Sequence, residues 1–241
     1  MKFENTEVWG FEHSLRGMRN PKNSWNRSDS HYGCDEIMNC STCRTGQEEG
    51  CFNLRNKYII GENDMKLAQT LIKAGNEHRK FMRQIFVSVD ITAPLYWWKE
   101  MDQYRINVTT NSTSTMHRLT PSPITLDCFE TDDYDRDLSL ADSPEDDNEL
   151  NHISAFEEDV ITVLENLRQK YLETKDKRYW KELVRFLPES WLQKRTVTMN
   201  YENVRNMYFQ RKNHKLTEWS KSFINWVESL PYAEDLIMYE G

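Results

Sequence analysis

The run Phe81 to Thr92, FMRQIFVSVDIT, passes almost directly into Pro94 and the series Leu95-Tyr96-Trp97-Trp98, and this junction constrains the fold more than any other stretch. The run is β-branched and aromatic enough to predict a buried strand. Pro94 predicts a helix start, since its missing N–H is one of the donors that the first helical turn leaves unbonded anyway. Upstream, Asn63-Asp64 predicts caps for a helix with Met65, Ala68, Leu71 and Ile72 on one face, closed by Gly75. Downstream, Ser154-Ala155-Phe156-Glu157 has the form of a capping box opening a helix striped by Phe156, Val160, Leu164, Leu167 and Tyr171. A short helix through Trp180 and Leu183 should end before Pro188, and Leu192 to Met199 should be a strand. A last helical region carries Val204, Met207, Tyr208 and Arg211, then Trp219, Phe223, Trp226 and Leu230, stopping at Pro231. Residues 1–33 read as irregular. Long helices with two or three strands among them predict an α+β fold, not a doubly wound sheet.

At 241 residues the chain can bury one good core, or two small ones sharing an interface. A mean hydropathy of -0.83 predicts a soluble protein, and no apolar run approaches the roughly 20 residues that span a bilayer. The first residues lack the apolar stretch of a secretory signal, so a cytoplasmic location is expected. The net charge of -8 is unevenly spread. Residues 127–150 hold eleven acids against Arg136, and read as a solvated acidic insert. Residues 176–218 hold ten Lys and Arg against five acids. That excess is modest for a nucleic-acid groove and suits a small anion such as a nucleotide phosphate, or simply a solvated basic face.

Cys34, Cys40, Cys43 and Cys51 place four thiols in one loop, residues 31–55, with His31 beside them. The Cys-x-x-Cys knuckle fits tetrahedral zinc, with free thiols and redox use left open. A zinc-bearing nucleic-acid module is a further, weaker alternative. The acids at 132–137 lack the glycine and terminal Glu of a calcium loop, and no Walker loop, dinucleotide fingerprint or nucleophile elbow is present. Trp97 and Trp98 could stack on a base, but aromatics at such a position more often fill a core. His117 and His214 are candidate polar contacts, each also explicable as a structural histidine.

One motif points further. Ala93 to Leu119 carries the Pro94-led helix, Gln103-Tyr104-Arg105, and Asn111-Ser112-Thr113-Ser114. It resembles the signature of the flavin-dependent thymidylate synthases, in which a proline-led helix bears an Arg-His-Arg triplet followed by a Ser-x-Asn-Glu-x-Ser-x-Arg-Tyr loop. Gly75-Asn76-Glu77-His78 is similar to that family's Gly-His-Glu turn. The stretch from Phe186 through Arg211 resembles its Leu-Pro, strand, Asn, helix and Arg series. The resemblance implies a single domain over 1–241, with long helices around a small antiparallel or mixed sheet, assembled as a homotetramer with shared active sites. It implies FAD, with NADPH and methylenetetrahydrofolate as co-substrates, and a pyrimidine nucleotide as substrate.

The same resemblance assigns roles. Ser114 and Arg211 are the expected catalytic positions. Glu100, Arg105, Ser112, Arg118 and Arg185 join them around the nucleotide. His78, Tyr104, Arg105, Asn111, Asn200 and His214 are expected at the flavin. Planar guanidinium groups suit both a phosphate and a uracil edge. Departures from the pattern bear on the chemistry. Gln103 and Tyr104 replace an Arg and a His, which removes a fixed charge and a titratable donor. Glu100 replaces a Gln, trading an amide for a group that only accepts hydrogen bonds and so favours an exocyclic amine such as cytosine's. Ser112 replaces the loop Glu, and Met116 falls near the loop Arg.

Overall fold

The computed structural model describes residues 1–33 and 58–241. Its strands and helices follow in the order β1 (Lys2–Trp9), α1 (Phe11–Arg19), β2 (His31–Tyr32), β3 (Tyr58–Ile59), α2 (Glu62–Lys73), β4 (Phe86–Pro94), α3 (Leu95–Met101), β5 (Thr109–Ser112), α4 (Thr115–Arg118), α5 (Ile153–Thr174), α6 (Lys177–Arg185), β6 (Leu192–Asn200), α7 (Tyr201–Arg211) and α8 (Ile224–Glu228). Four strands form one sheet in the order β1-β4-β6-β5, and β2 pairs with β3. The architecture is thus mixed helix and sheet, as expected. None of the described helices is long and apolar enough to cross a membrane.

The strand before Pro94 is shorter than the sequence predicts. Residues Arg79–Gln84 form a 3₁₀ turn, and β4 begins only at Phe86. Phe81 and Met82 are neighbours and both are buried, which a pleated strand cannot do when one of its faces is exposed. Beyond Phe86 the alternation is clean, with Val87, Val89, Ile91 and Ala93 buried. Pro94 then precedes α3 as its N-terminal flanking residue.

Residues 1–33 hold both a strand and a helix, contrary to the irregular segment predicted. In α1, Phe11, Leu15 and Met18 are buried at helical spacing. Gly10 makes the turn from β1 into α1 at φ 96°, and a Cβ there would lie 2.2 Å from the Gln84 carbonyl oxygen. Only glycine fits both demands.

Three predicted helix boundaries also move. Asp64 is no cap: it is fully buried and accepts from Arg19 Nε at 2.5 Å and from the Ser28 and Ser30 hydroxyls, both at 2.6 Å. Asp29 does the capping of α2, accepting from the backbone N–H of Asn63 at 2.8 Å and of Asp64 at 3.1 Å. Helix α5 starts at Ile153 with His152 flanking it, so Ser154 and Glu157 lie inside and form no box. The final helical region breaks after Arg211, resumes as a π-helical turn over Glu218–Phe223, and continues beyond Pro231 with another at Ala233–Ile237.

Contacts divide the chain into two compact units. The first comprises Met1–Glu4, Val89–Arg105 and Thr110–Val197. Leu119, Ile124, Phe129, Leu164, Leu183 and Trp191 form one cluster of its core. Trp97 and Trp98 are also fully buried, so both are core and neither is an open stacking platform. The acidic insert is tied locally by Ser139 Oγ donating to Asp147 at 2.6 Å and by a bridge from Ser139 to His152, and it is anchored to the core through a bridge from Phe129 to Trp191. Arg168 is buried at 4% exposure and clamps Glu165 with two 2.7 Å bonds while donating to the Thr120 carbonyl at 2.8 Å.

The second unit comprises Asn5–Ser88, Ile106–Thr109 and Thr198–Gly241. Aromatic packing dominates it, with Phe11 edge-on to both Tyr201 and Tyr232. The Tyr201 hydroxyl donates to the Pro231 carbonyl at 2.7 Å, and burial pushes its pKa well above the ordinary tyrosine value. Arg79 pairs with Glu202, and Arg205 donates to the Ile237 carbonyl at 2.6 Å, tying α7 to the C-terminal turns.

Candidate functional site

In the first unit, β5 delivers Asn111 and Ser112 and α4 follows two residues later, so the predicted loop residues share one short segment. Thr113 is pinned to β6: its N–H donates to the Lys194 carbonyl at 2.8 Å and its hydroxyl to the same oxygen at 3.1 Å. Ser114 precedes α4, and its carbonyl accepts from the N–H groups of His117 and Arg118 at 3.1 and 3.0 Å. The segment borders a cavity of about 840 Å³ lined by Thr113, Thr115, Arg118, Trp191, Gln193 and Lys194, among others. Of the predicted substrate residues, Arg118 lines this cavity. Its side chain is exposed. Lys194 already serves Glu4 at 3.1 Å and Asp90 at 3.5 Å, and the Glu4 contact raises its pKa.

Around the end of α3 lie Glu100, Tyr104 and Arg105. Arg105 is exposed and its Nε donates to the Asp102 carbonyl at 2.7 Å, which fixes the root of the guanidinium. Glu100 and Tyr104 are half-buried. Arg185, on α6, is exposed and paired with Glu182 one helical turn back. That pairing is the ordinary helix-surface ion pair, of little energetic weight in water.

The second unit holds the remaining predicted residues. Asn200 is buried, and its side-chain oxygen accepts from the Asn203 N–H at 3.0 Å while Asn203 reciprocates, forming a capping box on α7. Its carbonyl oxygen therefore has a structural duty. Arg211 ends α7 with its guanidinium 4.8 Å from the centre of the Trp219 ring. A guanidinium over an indole face is held there by attraction to the ring's negative face. His214 packs edge-on to the same ring and its Nδ1 accepts from the Leu216 N–H at 3.2 Å, so the proton of a neutral ring is on Nε2. His78 is exposed in the turn after Gly75.

The expected zinc ligands Cys34, Cys40, Cys43 and Cys51 lie outside the described residues. Among the described residues no group of His, Cys, Asp or Glu could hold a metal ion. Sequence reasoning missed Gln193, Lys194 and Trp191 as cavity residues. The spacing of two between Trp191 and Gln193 was a signal for that pair, both of which are buried, whereas nothing in the sequence marked Lys194.

Sequence comparison matches no protein family and no curated protein. Among solved structures, flavin-dependent thymidylate synthase ThyX from Helicobacter pylori, complexed with FAD and dUMP, matches at a TM-score of 0.61 and 18% identity. The match covers 100% of this chain and 98% of that one. The likeness is one of fold. A second structure of Helicobacter pylori ThyX with FAD and dUMP gives a TM-score of 0.61 and 17% identity, covering 100% of this chain and 97% of the other.

Proposed function

We propose that the protein methylates a pyrimidine deoxynucleotide, dUMP to dTMP or a related one-carbon transfer, in a flavin-dependent reaction. The observation that carries this reading is the whole-chain fold match to a ThyX bound to FAD and dUMP. The donor chemistry fits such ligands. Exposed Arg105 and Asn111 offer a guanidinium and an amide to a flavin diphosphate, and Ser112 and Arg118 offer a hydroxyl and a guanidinium to the nucleotide. The flavin, when bound, would supply hydride transfer, with NADPH and methylenetetrahydrofolate as co-substrates. The chain's own residues would bind and orient. Arg211, beside Trp219, would contact the pyrimidine, and Ser114 would stand at the nucleotide's reactive face. A homotetramer would bring site residues together from different subunits.

A second reading is favoured by Gln103 and Tyr104, which stand where the resemblance expects an Arg and a His: a nucleotide-binding protein without flavin chemistry. The visible spectrum of the purified protein separates the two, together with calorimetry using dUMP, dCMP and FAD. Flavin absorbance and FAD binding support the enzyme. Nucleotide binding by a colourless protein that takes up no FAD supports the second reading and removes the first. Zinc at Cys34, Cys40, Cys43 and Cys51 is a separate proposal. Elemental analysis of protein purified without added metal tests it, with about one equivalent expected and less than half an equivalent against it.

A further inference from the structure

Gln193 is the one residue of the cavity whose side-chain amide is engaged at both ends by groups of opposite polarity. Its oxygen accepts from Arg195 Nε at 2.9 Å. Its nitrogen donates to the Thr113 carbonyl at 2.9 Å and to the Thr115 hydroxyl at 3.3 Å. An amide can flip, and its orientation follows from its neighbours. Here a guanidinium on one side and a carbonyl on the other leave a single arrangement that satisfies both.

Arg195 is itself fixed from two directions. Its guanidinium lies 4.2 Å above the centre of the buried Trp98 ring, and its Nη1 donates to Asp102 at 2.7 Å. Trp98 also donates its indole N–H to the Gln193 backbone carbonyl at 2.9 Å, so the strand and the side chain are anchored by one ring. A relay runs from Asp102 through Arg195 and Gln193 to Thr113 and Thr115. Those two residues bracket Ser114 and lead into Arg118.

We propose that Gln193 is a positioning residue. Its amide, oriented by Arg195, sets the conformation of the Thr113–Thr115 segment and thereby aims Arg118 at a nucleotide phosphate in the adjoining cavity. The claim that the ligand is a nucleotide rests on the proposed function above; the relay itself does not. Gln193 touches no reacting atom and acts through the segment.

The test uses the full chain and the isosteric variant Gln193→Met, which keeps volume and loses both polar ends. Hydrogen exchange should quicken about tenfold at the amides of Thr113, His117 and Arg118, the equivalent of one lost hydrogen bond. The midpoint of global unfolding should move little. The dissociation constant for dUMP should rise about tenfold, and Arg195→Met should do the same. The double variant should be no worse than either single one, because both break one relay. Gln193→Glu should not rescue, since a carboxylate oxygen would face the Thr113 carbonyl. Unchanged exchange at these amides overturns the proposal, whatever dUMP does. Faster exchange with unchanged dUMP affinity overturns it as a positioning role. If the wild-type chain binds no dUMP, the proposed function fails, and the relay stands or falls on the exchange data alone.

Discussion

Removing the Arg168 side chain should cost stability in a way that depends on pH. Arg168 is buried and makes three hydrogen bonds, two to Glu165 and one to the Thr120 carbonyl. Glu165 also accepts from the Ile124 N–H at 2.9 Å, so the pair holds the 120–124 segment against α5. The Arg168 contact, foremost, brings the Glu165 pKa down to about 2. Folded Glu165 stays ionised to about pH 2, whereas unfolded it would protonate near an ordinary glutamate value. Its contribution is therefore complete above about pH 4.5 and is lost as the pH falls toward about 2. Glu165 is 25% exposed, so water softens the loss of its partner. Arg168→Ala should then cost about 2–3 kcal/mol near neutral pH, less than the roughly 3–5 kcal/mol of a fully buried broken pair. Urea unfolding of wild type and variant from about pH 7 down to about pH 3 reads this directly, and the gap between the curves should narrow as the pH falls. A gap below about 0.5 kcal/mol, or one indifferent to pH, would refute the clamp.

Other perturbations test other parts of the structure. Arg211→Ala should weaken nucleotide binding or turnover by about 2–4 kcal/mol and Arg211→Lys should recover little of it, read by calorimetry and steady-state kinetics; a change within twofold would place the pyrimidine elsewhere. Asn200→Ala should destabilise the fold by about 1–2 kcal/mol, because it removes one arm of the α7 capping box at a buried position, and a thermal melt would show it. Gly10→Ala should cost more, about 2–4 kcal/mol, since it combines a positive φ with a clash against a backbone oxygen; an unchanged melting temperature would mean that the turn relaxes freely.

The legible parts of this chain were those where one physical demand acted alone. β6 and α6 follow from apolar spacing, and the junction at Pro94 follows from proline's missing donor. The illegible parts were those where a distant group took over a local role. Asp64 has the right identity for a cap, but Arg19, Ser28 and Ser30 draw its carboxylate into a buried network, and Asp29 reaches α2 from the preceding segment. The capping-box pattern at Ser154 likewise loses to a start at Ile153. At the candidate site, the motif around Asn111 to Arg118 was visible, and Arg118 does line a cavity. What shapes that cavity was not visible, because Gln193 and Arg195 lie some 80 residues further along the chain and meet the loop only through the fold.

The short ladder of β2 and β3 also bears on how the chain can be altered. His31 faces Ile59 and Tyr32 faces Tyr58, so the backbone leaves this place and returns to it. The Tyr32 and Tyr58 rings meet edge to face with centroids 5.0 Å apart. Closing a chain between two fixed ends costs free energy that grows only with the logarithm of its length, about 0.6 kcal/mol per doubling. By that measure, doubling the length of chain between Tyr32 and Tyr58 would cost the ladder only about 0.6 kcal/mol.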